Sequence, residues 1–279
     1  ALFGDLATVR HQNMTGHKYL PHSPERVIRE LDDIVRRGST SVEIMDDIFT
    51  VNRERVFKIF DLIESRGYRL YFRIRSRVTL VDQLLLERFR RIGGRAVSYG
   101  MESGSDAVLK LMNKGTSVAA NINACRATKK LGMICQSTWL FGWPGETRAG
   151  IAQTFRLIRR LLPHTFNFCF LIPLPGTTIY EEAKHCGTLS HDWSVTSTTV
   201  PYIRTETWPE LAPLIRYLRR KIFFVQIDPR YLAQTLALMI RTNNIHLVAF
   251  AFRLVLWNIG NLCGEAFGIA SSAATHCGE

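Results

Sequence analysis

The feature that most constrains this chain is a rhythm. Five times between Val42 and Ile172 an apolar run ends in a polar or glycine-bearing break, and residues at helical spacing follow. The strand candidates are Val42–Met45, Tyr68–Ile74, Ala96–Met101, Met133–Phe141 and Thr165–Ile172. Between them Val56, Ile59, Phe60 and Ile63 share one helix face, and Ile151, Phe155 and Ile158 share another. Ser23-Pro24-Glu25 and Asn52 read as helix starts, and Gly38, Gly67 and Gly132 as stops. Strands alternating with helices build parallel βαβ units with right-handed crossovers. A sixth strand is expected near Leu6–Val9. The predicted fold is therefore α/β, a partial (β/α)6 TIM-like barrel over residues 1–187. A loop and helical C-terminal extension over 188–279 is expected to follow, with helices at Leu211–Phe224 and Tyr231–Trp257. Within the second helix, Ile245–Trp257 is strongly apolar but too short to span a bilayer. It is expected to pack on the barrel's side.

Polar residues gather where the predicted strands end. Asp46-Asp47, Arg75-Ser76-Arg77, Glu102-Ser103, Gly142–Thr147 and Pro175-Gly176-Thr177 each follow a strand. In parallel barrels that edge carries the ligand site, because its loops converge on helix N-termini. Glu102 is the sharpest case, an acid closing the run Ala96–Met101 before Ser103-Gly104. An acid there also serves as a cap for a helix starting near Ser105, and the sequence alone leaves both readings open.

Lys and Arg total 36 against 24 Asp and Glu, a formal charge of +12. That balance favours anionic partners. No RRM, zinc-finger or helix-turn-helix signature is present, so nucleic acid is not the expected partner. The six cysteines (Cys125, Cys135, Cys169, Cys186, Cys263 and Cys277) include no CxxC spacing, so no local metal site announces itself. Residues 1–20 lack the apolar segment of a signal peptide, and the expected location is cytoplasmic with reduced thiols. The basic, apolar C-terminal region points to a hydrophobic or lipid-like substrate and to peripheral membrane contact. The chain begins on Ala rather than Met, and a start truncated from a longer protein is expected.

Several stretches, in order, resemble a known family: HSPERVIRELDDIV, EIMDDIFTVNRERV, SRVTLVD, YGMESGSDAVLKLMNKG, FGWPGET, PLPGTTIYEEAKHCG and DPRYL. The chain resembles radical SAM enzymes, in the group that often carries a cobalamin-binding domain upstream. The resemblance implies a 4Fe–4S cluster that cleaves S-adenosylmethionine to a 5′-deoxyadenosyl radical, which then modifies an organic substrate. It also implies an electron donor such as flavodoxin or ferredoxin, and cobalamin supplied by a domain outside this chain. By analogy Asp46 and Asp47 meet the methionine amino group, and Glu102 and Ser103 face the ribose or methionine end. Gly142 lets backbone approach the adenosine, and Arg77 is a candidate for the cofactor's carboxylate.

The resemblance breaks at one motif. The family's CxxxCxxC cysteines are expected at positions that here hold Phe3, Ala7 and Arg10, and Leu20 stands where a basic residue is usual. Cluster ligation needs soft thiolates, which those side chains are not. Beside the enzyme reading stand two others. One is a barrel without a cluster, acting as a binding or scaffold module. The other is a phosphate-binding barrel using Asp46, Asp47 and Glu102 with a metal.

Overall fold

The computed structural model describes residues 21–46, 48–185, 188–189 and 203–242. Its centre is one sheet of five parallel strands in the order β1-β2-β3-β4-β5. They are β1 (Ser41–Glu43), β2 (Tyr71–Ser76), β3 (Gly94–Glu102), β4 (Ile134–Phe141) and β5 (Thr165–Phe170). Helices α1 (Pro24–Arg36), α2 (Arg53–Arg66), α3 (Gln83–Arg91), α4 (Asp106–Leu111), α5 (Val118–Lys130), α6 (Arg148–Leu161) and α7 (Thr178–His185) alternate with them. The strands and helices form a curled half-barrel, the partial TIM-like architecture read from the sequence. The expected strand at Leu6–Val9 lies outside the described residues.

Local chemistry explains the helix boundaries. Ser23, Asn52, Asp82, Ser117 and Thr147 each accept a backbone N–H from the first turn of the helix they precede. Each such cap stabilises its helix by about 1 kcal/mol. The helix read from the apolar spacing of Val81–Ile92 begins at Gln83, where Asp82 caps it by accepting the Leu85 N–H at 2.8 Å. A single 3₁₀ turn at Val78–Leu80 takes up the chain ahead of it. The second strand begins later than its apolar pattern predicted. Tyr71 pairs with Ser41, the first residue of β1, and the register starts there.

The two faces of the sheet differ sharply. One carries Phe72, Ile74, Val97, Tyr99, Cys135 and Phe141 into a buried core shared with the helices. Phe155 of α6 stacks on Phe141 at 5.6 Å and on Phe168 at 5.7 Å, and the Tyr99 hydroxyl meets Thr128 of α5 at 2.8 Å. Side chains alternate along a strand, so Arg73, Arg75, Ser98, Gln136 and Thr138 face the opposite, inward side.

In the C-terminal region α8 (Leu211–Gln226) and α9 (Pro229–Thr242) follow, with Leu214, Leu218 and Val225 joining the main core. Asp228 accepts hydrogen bonds from Arg159 of α6 and from Arg230. Gln234 bonds Lys129 and the Pro163 carbonyl. Residues 188–209 were expected as plain loop. Within them Leu189 and Ile203 form an antiparallel bridge, and Ile203 is buried in a small cluster with Trp143 and Leu171. Among the described residues no helix is long and apolar enough to cross a membrane. The apolar segment Ile245–Trp257 lies outside them.

The join between β3 and α6 is the tightest in the fold. A Cβ on Gly104 would lie 2.5 Å from the Thr154 Cα and 2.8 Å from the Gln153 carbonyl oxygen. Gly104→Ala is therefore expected to destabilise the chain by about 1–3 kcal/mol, read as a lowered urea midpoint with an unchanged slope.

Candidate functional site

The site is organised by an irregularity in β3. Its register against β4 shifts between Gly100 and Glu102, and Glu102 itself has φ 59°. Few side chains occupy that left-handed region, and a bulge there re-aims the residue that carries it. The effect is visible at Gly100, an inward-facing position. A Cβ on Gly100 would lie 2.4 Å from Glu102 Oε1 and 3.5 Å from Lys114 Nζ. The bulge thus folds the Glu102 carboxylate back over the inward side of its own strand, and only glycine leaves room beneath it.

Glu102 is fully buried and Lys114 nearly so. Lys114 Nζ donates to Glu102 Oε1 at 2.8 Å. Arg77 donates through Nη2 to the Lys114 carbonyl and adds positive charge near the carboxylate. Burial nonetheless outweighs both cations, and the Glu102 pKa is raised. Glu102 Oε2 is buried and has no partner. Glu102 does not cap the following helix: Ser105 takes the N-cap position of α4, and the carboxylate goes to Lys114.

The other predicted residues separate by environment. Asp46 is exposed in the segment after β1. Asp47 lies outside the described residues. Ser103 is buried, meets Thr154 Oγ1 at 3.2 Å and accepts the Ser105 N–H at 3.2 Å. The Gly104 N–H also reaches Thr154 Oγ1, at 2.9 Å, so the Ser103-Gly104 pair knits β3 to α6. Asn121 of α5 holds the same turn by donating to the Met101 and Ser103 carbonyls. Thr177 caps α7, bonding the Leu174 carbonyl and the Tyr180 N–H.

Gly142 has φ 80°, the positive value that favours glycine, at the carboxyl end of β4. Its N–H donates to Glu146 Oε2 at 2.9 Å. Glu146 is buried and bends the Gly142–Thr147 loop back on itself, with Trp143 supplying a second backbone N–H. Burial pushes its pKa up to about 8. Sequence reasoning passed over Glu146 and Lys114. Both lie in quoted motifs, but a Glu in a Pro-Gly turn and a Lys after a helix look solvent-facing until the loop closes over them.

The described residues do not fit an iron–sulfur cluster. No group of three or more His, Cys, Asp or Glu among them is placed to hold a metal ion. Cys125 and Cys135 are buried in the helix-facing core, and Cys169 lies on β5. Positions 3, 7 and 10 lie outside the described residues. S-adenosylmethionine is better matched. An unpartnered buried carboxylate oxygen suits its ammonium or ribose hydroxyls, and a glycine turn two strands' width from Arg77 gives room for close backbone approach.

Two outcomes follow from these buried carboxyls. Lys114→Met leaves the Glu102 carboxylate without its cation and is expected to cost about 3–5 kcal/mol in urea unfolding. Adding Glu102→Gln should recover part of that loss. For Glu146 the folded group titrates at about 8 against 4.5 for an ordinary glutamate. Between those values the folded chain holds a proton that the unfolded chain releases. Its stabilising contribution is therefore complete below pH 4.5 and lost as pH rises through 8. Glu146→Gln should flatten the fall in urea midpoint between pH 6 and pH 9.

Residues 10–158 match the Radical SAM superfamily, more than half of the 279-residue chain. An uncharacterized methyltransferase of Pyrococcus horikoshii is 28% identical over 222 residues, which cover 76% of this chain and 48% of that protein. An anaerobic magnesium-protoporphyrin IX monomethyl ester cyclase of Rubrivivax gelatinosus is 26% identical over 167 residues, 59% of this chain and 30% of the cyclase. The chain thus spans about half or less of the length of these relatives. Among solved structures, the radical S-adenosylmethionine methyltransferase TsrM of Kitasatospora setae, with cobalamin and a 4Fe–4S cluster bound, gives a TM-score of 0.54. It is 18% identical and covers 65% of this chain and 38% of TsrM, a likeness of fold. The half-barrel, the ordered strand-end motifs and the superfamily match agree: this chain belongs to the Radical SAM superfamily.

Proposed function

We propose that this half-barrel binds S-adenosylmethionine at the carboxyl ends of its strands, as part of a radical SAM enzyme acting on a small organic substrate. One observation carries the reading. Glu102 Oε2 is a buried acceptor with no partner, aimed inward by the bulge at the strand ends. Leaving such an acceptor unmet costs about 1–3 kcal/mol, and a ligand hydroxyl or ammonium would recover it. Arg77 supplies a guanidinium for the cofactor's carboxylate, Gly142 a backbone edge for the adenosine, and Asp46 with Asp47 an acceptor pair for the amino group. Lys114 holds the Glu102 carboxylate in place. Methyl transfer or ring closure, the activities in the names of the relatives, is the kind of chemistry proposed, with cobalamin supplied by a domain outside this chain and electrons by a flavodoxin- or ferredoxin-like donor.

A second reading has its own support in Phe3, Ala7 and Arg10, which stand where the family's thiolates are expected. On that reading the barrel keeps the cofactor pocket and serves as a binding module. One preparation separates the two. The chain is reconstituted anaerobically, iron and acid-labile sulfide are counted, and 5′-deoxyadenosine release and S-adenosylmethionine affinity are measured. About four irons per chain with cleavage support the enzyme. Cofactor binding without iron supports the module, and absence of binding overturns the pocket itself. In the same titration Gly100→Ala, whose methyl group displaces the Glu102 carboxylate, should weaken binding about tenfold, or about 1.4 kcal/mol. Glu102→Gln should do likewise.

A further inference from the structure

Below the Glu102 site the inward face of the sheet is built unlike a barrel core. Barrel interiors are ordinarily filled by branched apolar side chains in layers. Here the register sets Arg75, Ser98 and Gln136 side by side across β2, β3 and β4, with Thr138 opposite Gly100 and Asn167 opposite Thr138. Arg73 precedes Arg75 on the same face. These positions are half-buried, and Asn167 is exposed, so the face is open rather than packed.

Among the described residues its charge is unbalanced. Glu43 is the carboxylate between the two arginines, 3.3 Å from Arg73 Nη1 and 3.5 Å from Arg75 Nη2. Both separations exceed the 2.7–2.9 Å of a strong charge-assisted bond. The two guanidinium groups carry ten N–H donors between them, and among the described residues Arg75 Nη2 otherwise meets only the Met45 sulfur, at 3.8 Å. Arg73 Nε is buried without a partner, and so is Gln136 Oε1 on the same face. Arg77 and Lys114 stand at the rim beside Glu102. An open, half-buried face with surplus guanidinium donors attracts an anion, and its low-dielectric walls strengthen that attraction.

We propose that Arg73 and Arg75 form an oxoanion subsite in the barrel, holding a carboxylate or phosphate group of the substrate beneath the Glu102 site. The inference rests on the reading of the barrel as a substrate chamber, and it names the substrate class as anionic. A substrate hydroxyl or N–H beside the anionic group would meet Gln136 Oε1. Planar guanidinium forks suit either oxoanion bidentately. The polar lining favours a substrate carrying such a group, where the C-terminal composition pointed to a hydrophobic or lipid-like one.

The test is calorimetric titration of the full chain at constant ionic strength with glutarate, its neutral diamide glutaramide, and inorganic phosphate. Glutarate or phosphate should bind the wild type and Arg156→Gln, a control on the outer face of α6, while glutaramide should not. Tighter glutarate identifies a carboxylate and tighter phosphate a phosphate ester. Arg73→Gln and Arg75→Gln should each weaken the anion at least tenfold, and Arg75→Lys, which keeps charge but loses the fork, by less. Equal binding of glutarate and glutaramide, equal binding by the arginine variants and the wild type, or no anion binding at all would overturn the subsite. S-adenosylmethionine is titrated into the same variants and should bind as in the wild type. Loss of cofactor binding in the wild type would instead strike the cofactor reading.

Discussion

A carboxylate with no access to water must find a cation or give up its charge, and the strand-end region of this protein is arranged around one such group. Glu102 and Lys114 are buried together at 2.8 Å. A pair of that kind contributes little net stability, because desolvation offsets most of the attraction. Its value is positional. Lys114 follows α4 and Glu102 ends β3, so the bond fixes the helix against the strand and holds the carboxylate over Gly100. Arg77 then reaches the Lys114 carbonyl, tying the end of β2 to the same point. The ends of β2 and β3 and the segment after α4 are held to one another through a single ion pair and its neighbours.

How much of this was legible beforehand depended on the range of the interaction. Strand–helix alternation and helix caps are local, and Ser23, Asn52 and Thr147 act as their sequence context implies. Glu102 was legible as a strand-end acid. Its partner was not, because Lys114 lies twelve positions on and meets it only after α4 has turned back. Ser103 shows the opposite limit: the same motif that marks a cofactor edge also supplies the hydroxyl that meets Thr154, fifty-one residues away. Glu146 was missed because its burial is produced by its own loop. The polar inward face emerged only from register, since period-two alternation in YFRIRS does not say which side the arginines take.

Two observations pull on the chemistry from different sides. Family membership rests on more than half the chain, and the strand-end geometry leaves an acceptor unmet. The thiolate positions read Phe3, Ala7 and Arg10; of the described cysteines, Cys125 and Cys135 lie in the helix-facing core, and Cys169, near the end of β5, is a single thiol on the face of Asn167. On the proposed reading, cofactor recognition and cluster ligation are physically separable in this protein: the first would use carboxylate, guanidinium and glycine at the ends of β2–β4, the second sulfur that the expected positions do not carry.

The bulge at Gly100–Glu102 has a consequence for how this barrel tolerates change. Glu102 lies opposite the core-facing Trp139, and the extra residue in β3 is what lets it keep the inward face of Ser98 and Gly100. Removing one residue anywhere between Ala96 and Met101 would restore an even pleat and turn that carboxylate toward the apolar helix layer, while every side chain of the motif downstream stayed the same. The site is thus encoded by the length of a strand as much as by the identity of its residues, and an alignment gap of one position in β3 would mark its loss more surely than a substitution would.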